Sequence, residues 1–267
     1  MFPPDLPPVT NKALYAYRVF SKVFSLSVFG IGCLVLTLLI FPLMRLLLHP
    51  GARFRRYGRR LIIFLTRFYV FFMRLVRMID VEIDTESVMR EKCRNLKSKI
   101  IVANHPSLID PIVIFSLLSY ADTIVVPYRN NLFLGGIIRQ LFIQGSNNLD
   151  DVLHSCTETL KQGNCLLIFP EGTRTKRSRK SILKKGAARV ALASGCSIVP
   201  LHIGGTDKYG LGKKDPWFSY NPKDRYVYRI SMGAEIDPEK YRNLPTPAAA
   251  KCITEDMKSV LFPRQQD

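Results

Sequence analysis

Residues 100–110 read Ile-Ile-Val-Ala-Asn-His-Pro-Ser-Leu-Ile-Asp. The apolar run from Ile100 to Ala103 has the length and β-branching of a buried strand. It stops at Asn104-His105-Pro106, because proline cannot continue a central strand yet suits the first turn of a helix. The pattern therefore predicts a helix from about Pro106 and puts His105 at a strand-to-helix corner, where a side chain can face a cleft. Asp110 then falls about one turn into that helix, within reach of the imidazole. A neutral imidazole can take a proton from an alcohol, and a neighbouring carboxylate fixes its tautomer and stabilises the imidazolium. Taken alone, the same residues also fit a hydrogen-bonded corner histidine beside a solvated aspartate.

Residues 165–174, Cys-Leu-Leu-Ile-Phe-Pro-Glu-Gly-Thr-Arg, repeat the arrangement. A second apolar strand ends in a Pro/Gly corner, here carrying Glu171, Thr173 and Arg174. Two strand-end corners bearing His, Asp, Glu and Arg form a cleft at the carboxyl ends of a mostly parallel sheet. Asn-His-x4-Asp followed downstream by Phe-Pro-Glu-Gly-Thr-Arg closely resembles the glycerolipid/lysophospholipid acyltransferase family, typified by the 1-acylglycerol-3-phosphate acyltransferases.

That resemblance implies an α/β core over about residues 80 to 262. It implies His105 as general base on an acceptor hydroxyl, with Asp110 orienting it. The hydroxyl attacks an acyl thioester on coenzyme A or acyl carrier protein. No metal, covalent enzyme intermediate or cofactor beyond that co-substrate is required, since the thioester is already a competent acyl donor. Glu171 and Gly172 match the acceptor-binding motif and Arg174 the phosphate-binding arginine, a side chain that grips phosphate bidentately. Asn104 and Thr173 join them as substrate-binding positions, and the Val199-Pro200-Leu201 segment resembles the family's fourth motif. The second motif departs from the pattern. Leu132-Phe133-Leu134-Gly135-Gly136 has neither the usual proline nor a clear lysine, and Gln144-Gly145-Ser146-Asn147 stands where an arginine is expected. Arg129 or Arg139 would have to compensate. Bacterial relatives with a similar N-terminal layout serve specialised lipid pathways, such as lyso-ornithine lipid or aryl-polyene lipid assembly.

The 267 residues hold one α/β domain plus an N-terminal extension, with the boundary near residue 80: residues 1–79 as membrane-anchoring helices and 80–267 as the α/β domain. The formal charge of +18 asks for an acidic partner. The six cysteines include no Cys-x-x-Cys pair, which argues against zinc and for a reducing compartment. From Val23 to Met44 no charged residue occurs, about the length of a bilayer-crossing helix. Gly30 and Gly32 are tolerated there, and Pro42 marks a kink or an end. The segment either spans or is re-entrant; no signal-peptide cleavage site follows it. Arginines then recur through a mostly apolar run. Arg53, Arg56, Arg60, Arg67 and Arg74 share one helical face, while Phe64, Phe68 and Phe72 lie opposite, the pattern of a helix lying in a membrane interface. The arginine excess after residue 44 puts this side in the cytoplasm, at the cell inner membrane.

The partners expected are therefore anionic membrane lipids, a lysolipid-like acceptor and an acyl carrier protein. No nucleic acid is expected, because much of the basic excess borders apolar segments and no nucleic-acid motif occurs. A catalytically silent relative that docks on anionic membranes is the alternative. Elsewhere the pattern predicts strands at Val81–Ile83, Thr123–Pro127 and Ser197–Ile203, and an edge strand at Tyr226–Met232. Helices are predicted at Asp150–Gln162, Lys184–Ser194 and Thr246–Phe262. His49, His154 and His202 read as structural, and Ser107 as no nucleophile, since nothing resembles a nucleophile elbow. The fold class is α/β, a mostly parallel open sheet flanked by helices, with an N-terminal helical membrane-binding segment.

Overall fold

A computed structural model describes residues 6–49, 51–83, 86–118, 121–124, 142–143, 148–175 and 181–263. Its strands are β1 (Ile79–Ile83), β2 (Ile100–Ala103), β3 (Ala121–Ile124), β4 (Cys165–Ile168), β5 (Ile198–Gly205) and β6 (Tyr226–Met232). They form one six-stranded sheet in the order β1-β6-β5-β2-β4-β3. Every neighbouring pair is parallel except β5 and β6. The mostly parallel α/β sheet is as expected. The position of β6 is not: it lies inside the sheet, and β1 and β3 form the edges. Its alternation, with Tyr226, Tyr228 and Ile230 wholly buried, reports that one face is covered. It carries no information on whether the strand has one neighbour or two.

The sheet is covered on both faces. Ile101 and Ala103 join Val199, Leu201, Tyr226 and Tyr228 in one core cluster. Helices α3 (Ala52–Leu75) and α5 (Asp110–Leu117) cover that side. Ile100 and Val102, pointing the other way, pack with α6 (Leu149–Lys161), α7 (Gly186–Ser194) and α8 (Thr246–Leu261). This two-sided burial is why β2 reads as a continuous apolar run. α4 (Glu86–Asn95) links β1 to β2. α7 stops where predicted, at Gly195 in the left-handed conformation (φ 69°).

The N-terminal region is helical: α1 (Lys12–Val35), a π-helical turn over Leu36–Ile40, α2 (Phe41–Leu48), then α3. Pro42 does not end the helix. The wide turn before it, with the Phe41 N–H bonded to the Leu36 carbonyl, absorbs the proline. Lys12–Leu48 is long and apolar enough to cross a membrane by length and composition, and most of its apolar window is unburied.

Sequence patterning divides α3 less accurately. Phe64 and Phe68 are exposed, but Phe72 is half-buried, packing its ring near Tyr69 and Phe24. Arg53, Arg56, Arg60, Arg67 and Arg74 are exposed. Arg67, however, donates to the carbonyls of Ser116 (3.2 Å) and Leu118 (2.9 Å), closing the C-terminal end of α5. Arg74 sits 3.4 Å from Asp80. Tyr69, Val70 and Met73 belong to the same cluster as the sheet residues, so the core continues across residue 80.

Candidate active site

β2 and β4 are parallel neighbours, with Val102 opposite Ile168. That register brings the two corners side by side, since His105 and Glu171 each lie three residues past the paired positions. Helix α5 starts at Asp110, with Pro111 in its first turn, and not near Pro106. The six residues between β2 and α5 are irregular, and this turns Asp110 back towards the imidazole. His105 Nδ1 lies 2.8 Å from Asp110 Oδ2. Asp110 is wholly buried. Its Oδ2 also accepts the Ser107 backbone N–H (2.7 Å), and its Oδ1 accepts the Ser107 hydroxyl. With its proton directed at Asp110, Ser107 Oγ accepts from the Tyr228 hydroxyl at 2.7 Å. Both Asp110 oxygens already act as acceptors, and Oδ2 faces the imidazole as one. His105 Nδ1 is thus the N–H donor, and Nε2 carries the lone pair. Nε2 has no hydrogen-bond partner among the described residues. The ring stacks on Phe169, with centroids 4.3 Å apart. Ser107 is wholly buried and engaged, consistent with its exclusion as a nucleophile.

Glu171 ties the corners together. Its Oε1 accepts the His105 backbone N–H (3.0 Å) and the Thr175 hydroxyl (2.6 Å), and its Oε2 accepts Ser181 (2.9 Å). The Thr175 N–H donates to the His105 carbonyl at 2.7 Å. In this structure Glu171 therefore sets the backbone of the histidine. Asn104 corrects the expectation from sequence. Its amide donates to the Ile203 carbonyl (2.9 Å) and accepts the Ile203 N–H (2.7 Å), and the side chain is buried. It joins β2 to β5. Gly172 takes φ +64° with the Lys184 chain folded over it; a Cβ there would meet Nζ at 2.7 Å. Thr173 accepts from Lys213 Nζ at 2.9 Å. Arg174 Nη1 donates to the carbonyls of Leu211 (3.0 Å) and Gly212 (2.9 Å), its hydrogen bonds among the described residues. Arg129, Arg139, Lys176, Arg177, Arg179 and Lys180 lie outside the described residues.

A cleft of ≈ 200 Å³ opens beside the corners, lined by Pro106, Thr175, Thr206, Lys208, Gly212 and Lys213. Lys208 was not legible in the sequence. It is 5% exposed, donates to the carbonyls of Gly204 (3.2 Å), Thr206 and Val227 (2.8 Å), and sits 4.6 Å over the Tyr228 ring. Burial lowers its ammonium to about 8, with Asp110 and then Asp207 opposing the shift. Burial, with Asp110 adding to it, raises the Tyr228 phenol well above its ordinary range, so it stays a donor. Lys208, Tyr228, Ser107, Asp110 and His105 form one contiguous polar chain beneath the cleft. Only a tyrosine in an alternating strand and a serine inside the first motif hinted at it. His202 caps the C-terminal helix through the Leu261 carbonyl (3.0 Å), a structural role as expected.

A family model described as Acyltransferase matches residues 84–204, a stretch that includes both corners. The chain is 33% identical over 118 residues to the chloroplastic 1-acyl-sn-glycerol-3-phosphate acyltransferase LPAT1 of Arabidopsis thaliana, covering 41% of this chain and 32% of that protein. It is 25% identical over 185 residues to a probable 1-acyl-sn-glycerol-3-phosphate acyltransferase of Mycoplasma pneumoniae, covering 64% and 69%. The match thus spans only about a third of the length of the chloroplast relatives. The fold is shared with the crystal structure of the 1-acyl-sn-glycerophosphate acyltransferase PlsC from Thermotoga maritima, at TM-score 0.61 and 18% identity over 94% of this chain and 97% of that one. Both motif corners are adjacent on one parallel sheet, inside the stretch that matches the Acyltransferase family model, and there the chain is similar to 1-acyl-sn-glycerol-3-phosphate acyltransferases.

Proposed function

We propose that this chain is a membrane-bound O-acyltransferase, moving a fatty acyl group from acyl-CoA or acyl-acyl carrier protein to a hydroxyl of a lysolipid-like acceptor. The observation that carries the reading is the 2.8 Å contact of His105 Nδ1 with buried Asp110, which leaves Nε2 basic beside the cleft. The acceptor hydroxyl gives its proton to Nε2 as its oxygen attacks the thioester carbonyl. The tetrahedral oxyanion then collapses and expels the carrier thiolate, which takes the proton back from the imidazolium. Asp110 holds the tautomer and offsets the transient charge. Lys208, Lys213 and Arg174 supply positive charge for a phosphate on acceptor or donor.

Membrane attachment is supported by the unburied apolar surface of α1 and α2 and by Phe64 and Phe68 beside Arg53, Arg56 and Arg60 on α3. Arginines on this side favour the cytoplasmic face of the inner membrane and its anionic lipids.

The test is thiol release by the full-length protein reconstituted in vesicles, with coenzyme A and acyl carrier protein thioesters crossed against a panel of lysolipids. His105→Ala should lower the rate about 10²- to 10⁴-fold. An unchanged rate would remove the histidine from the chemistry. Absence of transfer by the native chain with every pairing would leave the silent membrane-docking relative as the reading.

A further inference from the structure

Trp217, the only tryptophan in the chain, is followed by Phe218 in the loop between β5 and β6. The two rings are 67% and 78% exposed. Adjacent large aromatic rings left open to solvent mark a surface that meets something apolar. Their exposure does not come from a loose loop. Lys22 of α1 is wholly buried and donates to the carbonyls of Gly210 (3.2 Å), Trp217 (2.5 Å) and Ser219. Arg18 donates to the Lys223 carbonyl at 2.9 Å, and the Tyr220 N–H to the Tyr15 hydroxyl at 3.3 Å. Gly210, at φ +98°, lets the two sides of the loop close; a Cβ would lie 2.2 Å from the Ser219 carbonyl oxygen. The loop is a platform fixed to α1, with both rings on its outer surface.

Lys22 is also the last charged residue before the uncharged stretch that begins at Val23. Wherever that stretch enters hydrocarbon, whether it spans or turns back, Lys22 marks the boundary. The Trp217 carbonyl bonded to it is therefore at the depth where aromatic rings are favoured in a bilayer. Exposed Lys213, Lys214 and Lys223 flank the rings, a charge pattern that suits anionic headgroups. The other end of the loop forms the cleft: Gly212 and Lys213 line it, and Arg174 holds the carbonyls of Leu211 and Gly212.

We propose that the Trp217–Phe218 loop is a second membrane contact, docking in the interface of an anionic bilayer and setting the cleft mouth against the leaflet. This rests on the membrane attachment proposed above. A lipid acceptor then reaches the site without crossing water.

The native sequence is its own probe, because its tryptophan fluorescence reports position 217 alone. The full chain is reconstituted in vesicles of phosphatidylcholine with about one quarter phosphatidylglycerol, brominated either near the headgroup or deep in the acyl chain. The expected result is strong quenching by the shallow label and weaker quenching by the deep one. Phe218→Asp, at a position too exposed to disturb folding, should weaken the shallow quenching severalfold. Protein that floats with the vesicles but is quenched by neither label overturns the loop contact and leaves helical attachment intact. Protein that fails to float overturns both.

Discussion

Asp110→Asn isolates the charge of the carboxylate from its shape. Oδ2 accepts from His105 Nδ1 and from the Ser107 N–H, while Oδ1 meets only the Ser107 hydroxyl. An asparagine oxygen in the Oδ2 position keeps the first two bonds. Its NH2 in the Oδ1 position donates to Ser107 Oγ, whose own proton can swing to the Tyr228 oxygen. The imidazole tautomer and orientation survive, and only the negative charge is lost. In the transition state of the proposed reaction that charge faces an imidazolium, at about 4 Å between charge centres. At the effective dielectric of a partly exposed site this is worth about 4 kcal/mol, and about 1.4 kcal/mol is tenfold in rate. His105 keeps 17% of its side chain in solvent, so we discount that bound and expect a loss of about a hundred- to a thousandfold in kcat. The assay is thiol release by the reconstituted enzyme, alongside a thermal melt in the same detergent to check that the variant folds. A folded Asp110→Asn enzyme within about threefold of the native rate would refute general-base catalysis by this pair.

Three further predictions follow from the same geometry. Asn104→Ala strips the Ile203 N–H and carbonyl of their buried partners; it should cost about 2–4 kcal/mol of stability, seen as a lowered melting temperature. Arg174→Lys can keep one nitrogen on the Leu211 and Gly212 carbonyls but loses the rest of the guanidinium edge, and should raise KM for phosphate-headed acceptors about tenfold with a smaller change in kcat. Lys208 has a folded value of about 8, below its ordinary 10.5, so the unfolded chain binds the extra proton between those limits. Stability of the native protein relative to Lys208→Met should therefore rise as pH increases from about 8 towards about 10.5, by at most about 1.4 kcal/mol per pH unit. Melting both proteins across that range, and taking the difference, cancels the tyrosines that titrate nearby.

Some of this protein is written locally. The β-branched run at Ile100–Ala103 and its companion at Cys165–Ile168 are strands wherever they are placed, because a short apolar segment between Pro/Gly corners has little else to do. Gly195 ends α7 because it alone takes the left-handed turn without strain. The parallel α/β class and the two motif corners were legible for the same reason: each depends on residues close in the chain. Other features needed the tertiary structure. The helix after His105 starts at Asp110, with Pro111 in its first turn, and not near Pro106, a choice between two prolines that local rules could not make. β6 lies inside the sheet because β1 pairs beside it from far along the chain. The motif places Asn104 among the substrate-binding residues, yet its side chain binds Ile203, and Glu171 sets the histidine's own backbone. Lys208 and Lys22 look like surface lysines in the sequence, yet each is buried on a ring of carbonyls. Periodicity reports which face of an element is apolar, but what covers that face, and which polar group meets a buried charge, is settled only by contacts between residues distant in sequence.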